Sequence, residues 1–215
     1  MTLLIKPLPQ DLIDRYKNWK SESFANDRSI YENLALEGQN PTAMIISCCD
    51  SRVHATSMFG AETGEFFIHR NIANLIPPYN PDGDHHGTSA AIEFAICALE
   101  VSHIIILGHS SCGGIKNGYH MCKGDQVNKD LLFVNKWLNI LKPAYDMLKY
   151  VTDDKAMISN LEKESIINSI KNLLEFPFVQ QALSSSNISI HGLWNNIGTG
   201  ELEMLNPKSM LFESL

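Results

Sequence analysis

Residues 88–113 read TSAAIEFAICALEVSHIIILGHSSCG, and this stretch decides the fold. Its first half places Ile92, Ala95, Ile96 and Leu99 on one face at helical spacing, which predicts a helix over 88–99. Its second half, His103-Ile104-Ile105-Ile106-Leu107, is a continuous apolar run of buried-strand length. A similar run, Ala43-Met44-Ile45-Ile46-Ser47, follows the turn Gly38-Gln39-Asn40-Pro41, and Glu65-Phe66-Phe67-Ile68-His69 is another strand candidate upstream of the helix. Strand, helix and strand in this order predict a parallel crossover, and hence an α/β fold with an open, mainly parallel sheet flanked by helices.

Outward from that centre, Leu12, Ile13, Tyr16, Trp19, Phe24, Ile30 and Leu34 fall at roughly helical spacing and predict two helices. Residues 1–37 are therefore expected to form an N-terminal helical arm on an α/β core of residues 38–215, within a single domain spanning 1–215. The segment 75–87, with Pro77-Pro78 and Asp82-Gly83, reads as a loop. Beyond Asn128 the pattern predicts helices over 131–141, 143–151, 156–174 and 178–183. Residues 187–194 alternate at period two, turn through Ile197-Gly198-Thr199-Gly200, and continue into 201–204, which predicts a C-terminal edge hairpin.

Composition narrows the function classes. Across 215 residues, 44% are hydrophobic and 19% charged, the balance of a folded globular chain rather than a disordered one. The formal net charge of −7 argues against nucleic acid and against an anionic membrane surface, since phosphate binding needs a basic stripe. No apolar run reaches membrane-spanning length, and Lys6-Pro7 cuts off Met1-Thr2-Leu3-Leu4-Ile5 before a signal-type apolar region can form. A cytoplasmic location and a small partner are expected. Five cysteines there read as thiols or metal ligands, and an odd number cannot pair completely within one chain.

Two segments carry chemistry, Cys48-Cys49-Asp50-Ser51-Arg52 and His109-Ser110-Ser111-Cys112-Gly113-Gly114, each directly after a predicted buried strand. Loops at the carboxyl ends of neighbouring parallel strands line one crevice, so the two segments can meet. Thiolate and imidazole are donors that zinc favours, and a catalytic zinc takes three protein ligands with a fourth position open. Cys48, His109 and Cys112 satisfy that count, with His109 and Cys112 close enough in sequence to chelate one ion. Cys97, on an apolar helix face, reads as core, and His54, His85, His86 and His120 read as solvated histidines. Asp50 and Arg52 form a pair in which a guanidinium fork can hold a carboxylate in one orientation, beside a candidate ligand; a purely structural ion pair at a turn is the competing account.

At these residues the chain resembles the β-class carbonic anhydrases, whose motifs are Cys-x-Asp-Ser-Arg and, some sixty residues on, His-x-x-Cys-Gly. The resemblance extends through residues 67–78 and 87–95 and to His191-Gly192-Leu193-Trp194, covering roughly 36–118 well. It implies one zinc ion per chain on Cys48, His109 and Cys112, a catalytic dyad of Asp50 and Arg52, and reversible hydration of carbon dioxide to bicarbonate and a proton by zinc-bound hydroxide. It also implies a substrate pocket with Gln39, as in the plant-like subgroup, an apolar wall of Phe67, Ile72 and Phe94, and the backbone N–H of Gly113 facing substrate. Phe94 stands where tyrosine is usual, so a hydroxyl is missing. Ile45 and Ser47 stand where the other subgroup carries Trp and Gly, so no regulatory bicarbonate site is expected. Because Gln39 and the aromatic wall serve the neighbouring subunit's zinc in the family, the resemblance implies a homodimer as the minimum unit, with a tetramer or larger assembly as its extension.

Three rival readings remain open. Gly108-His109-Ser110-Ser111-Cys112-Gly113 nearly spells the nucleophile elbow of a serine α/β-hydrolase, with Ser110 as nucleophile and Asp154 and His191 as partners in chain order. A closed structural zinc would need a fourth protein ligand, and Cys49 points away if the strand pleat continues. Hydrolysis of carbonyl sulfide or carbon disulfide is compatible with the same fold.

Overall fold

The computed structural model describes residues 5–82 and 86–215. The reading of Met1–Leu4 as the start of a leaderless chain, Gly83 of the Asp82-Gly83 turn, and His85 as a solvated histidine lie outside these residues. Two compact units are present, Met1–Gln39 and Asn40–Leu215.

The first unit holds α1 (Gln10–Ser21), α2 (Ser23–Asn26) and α3 (Arg28–Glu37). Two helices were expected; α2, a single turn, is the difference, because Ser21-Glu22-Ser23 interrupts the apolar spacing. The rings of Trp19, Phe24 and Tyr31 form a triangle, with centroids 5.5 Å (Trp19 to Phe24), 5.0 Å (Phe24 to Tyr31) and 6.0 Å (Trp19 to Tyr31) apart, which ties the three helices together.

The second unit runs β1 (Ala43–Cys48), α4 (Ala55–Met58), β2 (Phe66–Asn71), α5 (Gly87–Glu93), β3 (His103–His109), α6 (Gly113–Lys123), α7 (Leu132–Leu138), α8 (Lys142–Leu148), α9 (Asp154–Leu173), α10 (Pro177–Ser184), β4 (Ser189–Asn195), β5 (Leu202–Leu205) and β6 (Phe212–Ser214). The strands form one sheet in the order β2-β1-β3-β4-β5-β6. The first four are mutually parallel, and β5 and β6 join antiparallel. Every residue of β1 is buried, which is why Ala43–Ser47 is apolar without alternation: a central parallel strand is covered on both faces. The pleat divides it, with Met44 and Ile46 packing alongside Ile92, Ile104 and Ile166, and Ile45 packing alongside Leu107 and Leu193. Each such isoleucine, fully removed from water, contributes about 1.5–3 kcal/mol.

Topology places the site. From β1 the chain moves outward to β2, whereas from β3 it moves the opposite way to β4, so strand order reverses between β1 and β3. A crevice opens beyond the carboxyl ends of strands at such a switch point. The long α9 covers β3 and β4 closely: a Cβ on Gly108 would lie 2.6 Å from Ile166 Cδ1, so only glycine admits this approach.

Two local differences from the sequence expectation matter. The helix predicted over 88–99 is α-helical only to Glu93, and Phe94–Ala98 forms a π-turn, which the apolar spacing cannot distinguish from continued α-helix. The C-terminal hairpin is present as β4 and β5, but β4 is an interior strand and the edge belongs to β6, too short to show alternation in sequence.

Candidate metal centre

Cys48 ends β1, His109 ends the adjacent β3, and Cys112 is the N-cap residue of α6. One donor atom from each lies within 4.8 Å of the others, and all three residues are buried. The two Sγ atoms are 3.9 Å apart; sulfurs about 2.3 Å from one zinc at a tetrahedral angle would lie about 3.8 Å apart. His109 donates from Nδ1 to the Ser110 carbonyl at 2.9 Å, so Nε2 carries the lone pair. That Nε2 is buried without a hydrogen-bond partner, an arrangement that a metal bond resolves. The residues thus fit zinc by donor type, spacing and the orphaned nitrogen. The contact with Cys112 lowers the Cys48 thiol pKa below its usual range, while the same contact and burial push Cys112 up. A cation in contact with both sulfurs favours the thiolate form of each.

Cys49 is exposed and lies outside this group; its N–H instead donates to the Asn71 carbonyl at 2.9 Å. Among the described residues the group holds three members, the number that leaves one position of a tetrahedral zinc open.

Asp50 and Arg52 form the expected fork. Arg52 donates from Nε to Asp50 Oδ1 at 2.9 Å and from Nη2 to Oδ2 at 2.7 Å, and its backbone N–H adds a bond to Oδ1 at 3.0 Å. These bonds hold the Asp50 carboxyl well below the ordinary carboxylate range. Arg52 Nη2 also donates to the Ser111 carbonyl at 3.1 Å, tying the Cys48 loop to the Cys112 loop. Ser111 sits at φ +57°, a left-handed conformation that turns the chain between His109 and Cys112.

Two further residues hold the centre and were missed in sequence. Arg70, on β2, donates from Nε to the Cys48 carbonyl at 2.9 Å and from Nη2 to the Asp50 carbonyl at 2.7 Å. Its partners are backbone carbonyls some twenty residues earlier, which leave no trace in side-chain spacing. Glu162, on α9 and 4% exposed, accepts from the Cys112 N–H at 3.1 Å, and burial pushes its carboxyl pKa up. Here a signal existed, a carboxylate one residue from Leu161 and at helical spacing from Ser165, Ile166 and Ser169 on the buried face of α9.

The predicted substrate wall divides. Ile72 follows β2 in a 3-10 turn and approaches the centre: a Cβ on Gly114 would meet its Cγ2 at 2.9 Å, which explains glycine in the first turn of α6. Gly113 opens α6 with free space where its Cβ would be. Phe67 and Phe94 stack on each other at 5.8 Å. Phe67, however, stands opposite Met44, four residues back from Cys48 along β1 and so about 13 Å down the sheet from this chain's own centre. Phe94 is 49% exposed. Gln39 is exposed and is the last residue of the first unit.

The hydrolase arrangement is not assembled. Ser110 Oγ accepts from the Ile197 N–H at 2.9 Å, His191 Nε2 bonds Ser189 Oγ at 2.9 Å, and Asp154 bonds Tyr119 and Lys123.

Comparison with known proteins agrees with this geometry. The family model described as carbonic anhydrase matches residues 43–202. Beta carbonic anhydrase 3 of Arabidopsis thaliana is 32% identical over 201 residues, covering 90% of this chain and 77% of that protein. Among solved structures, the β-carbonic anhydrase CcaA superposes with a TM-score of 0.85 at 30% identity, over 96% of this chain and 91% of that one. A structure from a study of two tetrameric β-carbonic anhydrases of Sordaria macrospora superposes with a TM-score of 0.78 at 28% identity, over 92% of this chain and 96% of that one.

Proposed function

The chain belongs to the β-class carbonic anhydrases, and on that premise we propose how its own residues carry out the reversible hydration of carbon dioxide to bicarbonate and a proton. Cys48, His109 and Cys112 hold one zinc ion. Bound there, zinc acts as a Lewis acid that makes water a nucleophile near neutral pH, an effect for which carbonic anhydrases are the standard example.

Asp50 is the orienting base. Kept ionised by the Arg52 fork, its carboxylate has lone pairs to spare and accepts a hydrogen bond from the reacting water, aiming that water's oxygen at the carbon of carbon dioxide. Arg52 fixes the carboxylate plane, and Arg70 fixes the backbone on which Asp50 rides. The Gly113 N–H, in the first turn of α6 where helical N–H groups lack intrahelical acceptors, donates to an oxygen of the substrate as negative charge develops on it. Ile72 supplies apolar surface for the uncharged substrate.

The working unit is a homodimer or a larger assembly in which Gln39, Phe67 and Phe94 serve the partner's centre. Supporting this are the distance of Phe67 from the chain's own zinc ligands, the exposure of Phe94, and the tetrameric assembly of the Sordaria enzymes. Sedimentation checks the assembly; a monomeric active enzyme would refute it. Five free thiols, two of them required as ligands, support a reducing compartment such as the cytoplasm.

The observation that carries the function is the buried three-donor group with His109 Nε2 unpartnered. Cys48→Ser is expected to lose stoichiometric zinc and carbon dioxide hydration together. Full hydration activity in a zinc-free variant would overturn the assignment.

A further inference from the structure

Each hydration turnover releases one proton, which has to travel from the buried centre to a buffer base. On α6, Gly113, Lys116 and His120 stand at i, i+3 and i+7 and therefore share one face. All three border a cavity of about 950 Å³ that also reaches Arg52, Ser111 and Cys112. At about 30 Å³ per molecule, that volume has room for many water molecules between the Cys112 loop and His120. His120 lies about 10 Å along the helix from Gly113, where its side chain is 37% exposed.

The ring is oriented. His120 Nδ1 donates to Asp125 Oδ2 at 2.8 Å, leaving Nε2 as the proton acceptor. Arg52 and Glu162 also border the cavity, Arg52 held in its fork with Asp50 and Glu162 accepting the Cys112 N–H at 3.1 Å. Lys123 pairs with Asp154 at 2.9 Å, Tyr119 packs its ring 5.1 Å from the imidazole and donates to Asp154 at 2.6 Å, and Lys116 and Lys155 border the same cavity. Of these groups His120 alone combines a ring nitrogen not engaged by Asp125 with an exposed edge beside the cavity, which suits it to the task.

We propose that His120, oriented by Asp125, is the proton-transfer residue of this enzyme. This rests on the hydratase function above. The neutral ring accepts the released proton at Nε2 through water in the cavity, Nδ1–H stays on Asp125, and the imidazolium then gives the Nε2 proton to a buffer base at its exposed edge. One proton enters and one leaves per turnover.

The test is stopped-flow hydration by zinc-loaded wild type and His120→Ala across a range of buffer concentrations. At low buffer, kcat of the variant is expected to fall by at least about tenfold, with kcat/KM for carbon dioxide little changed and kcat restored by added imidazole. A kcat unchanged at low buffer overturns the proposal, as does a joint fall of kcat and kcat/KM that imidazole does not restore. Ring-nitrogen NMR supplies a readout apart from activity. The Nδ1–H tautomer of His120 is expected in wild type and its preference is expected to be lost in Asp125→Asn, whereas a dominant Nε2–H tautomer in wild type would overturn the proposal. A wild type that binds zinc but hydrates no carbon dioxide overturns the parent function and this proposal with it; an active wild type insensitive to His120→Ala overturns this proposal alone.

Discussion

Replacing Arg70 by methionine keeps most of the side chain's length and apolar stem but removes both donors to the Cys48 and Asp50 carbonyls, at 2.9 and 2.7 Å. A hydrogen bond from a charged donor contributes about 1.5–3 kcal/mol net when shielded. Arg70 is half-buried, and the released carbonyls can recover part of their bonding from water, so the lower end applies and the pair together contributes about 3 kcal/mol. For a domain of this size each kcal/mol corresponds to about 2–4 °C in Tm, which makes the expected loss about 6–12 °C. The two carbonyls belong to a zinc ligand and to the orienting base, so the variant is also expected to surrender zinc to a chelator faster than wild type. Thermal melting of the zinc-loaded protein and the rate of zinc transfer to a chromogenic chelator measure the two effects. A variant with wild-type Tm and wild-type zinc release would show that the Cys48–Asp50 loop holds itself, and would refute the clamp.

Other perturbations separate binding from chemistry. Asp50→Asn is expected to retain stoichiometric zinc while losing most turnover; unchanged turnover would make the Asp50–Arg52 pair structural. Because the folded pKa of Asp50 is depressed by Arg52, its stabilising contribution is present above the ordinary carboxylate pKa of about 3.9 and is lost only as pH falls through the lower folded value. The difference in urea midpoint between wild type and Asp50→Asn is therefore expected to be constant from neutrality to about pH 5 and to shrink under stronger acid; a difference that disappears near neutrality would contradict the fork. Glu162→Gln keeps an acceptor for the Cys112 N–H and is expected to melt near wild type, whereas Glu162→Ala orphans that N–H and is expected to lose about 1–3 kcal/mol in denaturant titration; equal stability of the two variants would show that water replaces the carboxylate.

Much of this protein is legible in its sequence. Local physics wrote the apolar runs 43–47 and 103–107, and chemistry specific to zinc selected Cys48, His109 and Cys112, since donor type and a strand-end position are both properties of a short segment. The Asp50–Arg52 fork was legible for the same reason: its partners are two residues apart. What tertiary structure alone decided has partners distant in sequence or identities that spacing does not encode. The reversal of strand order between β1 and β3 turned two separate loops into one crevice. The carbonyls of Cys48 and Asp50 became the partners of Arg70, and the Cys112 N–H that of Glu162, because a backbone group looks alike at every position until the fold selects one. The register of Phe67 against Met44 set that ring about 13 Å down the sheet from this chain's own centre, a distance that the short motif around it does not encode. Sequence by itself determined which atoms can bind the metal, since that depends on side-chain chemistry; only the folded chain decided what holds those atoms still and which side chains reach them, since that depends on where the backbone goes.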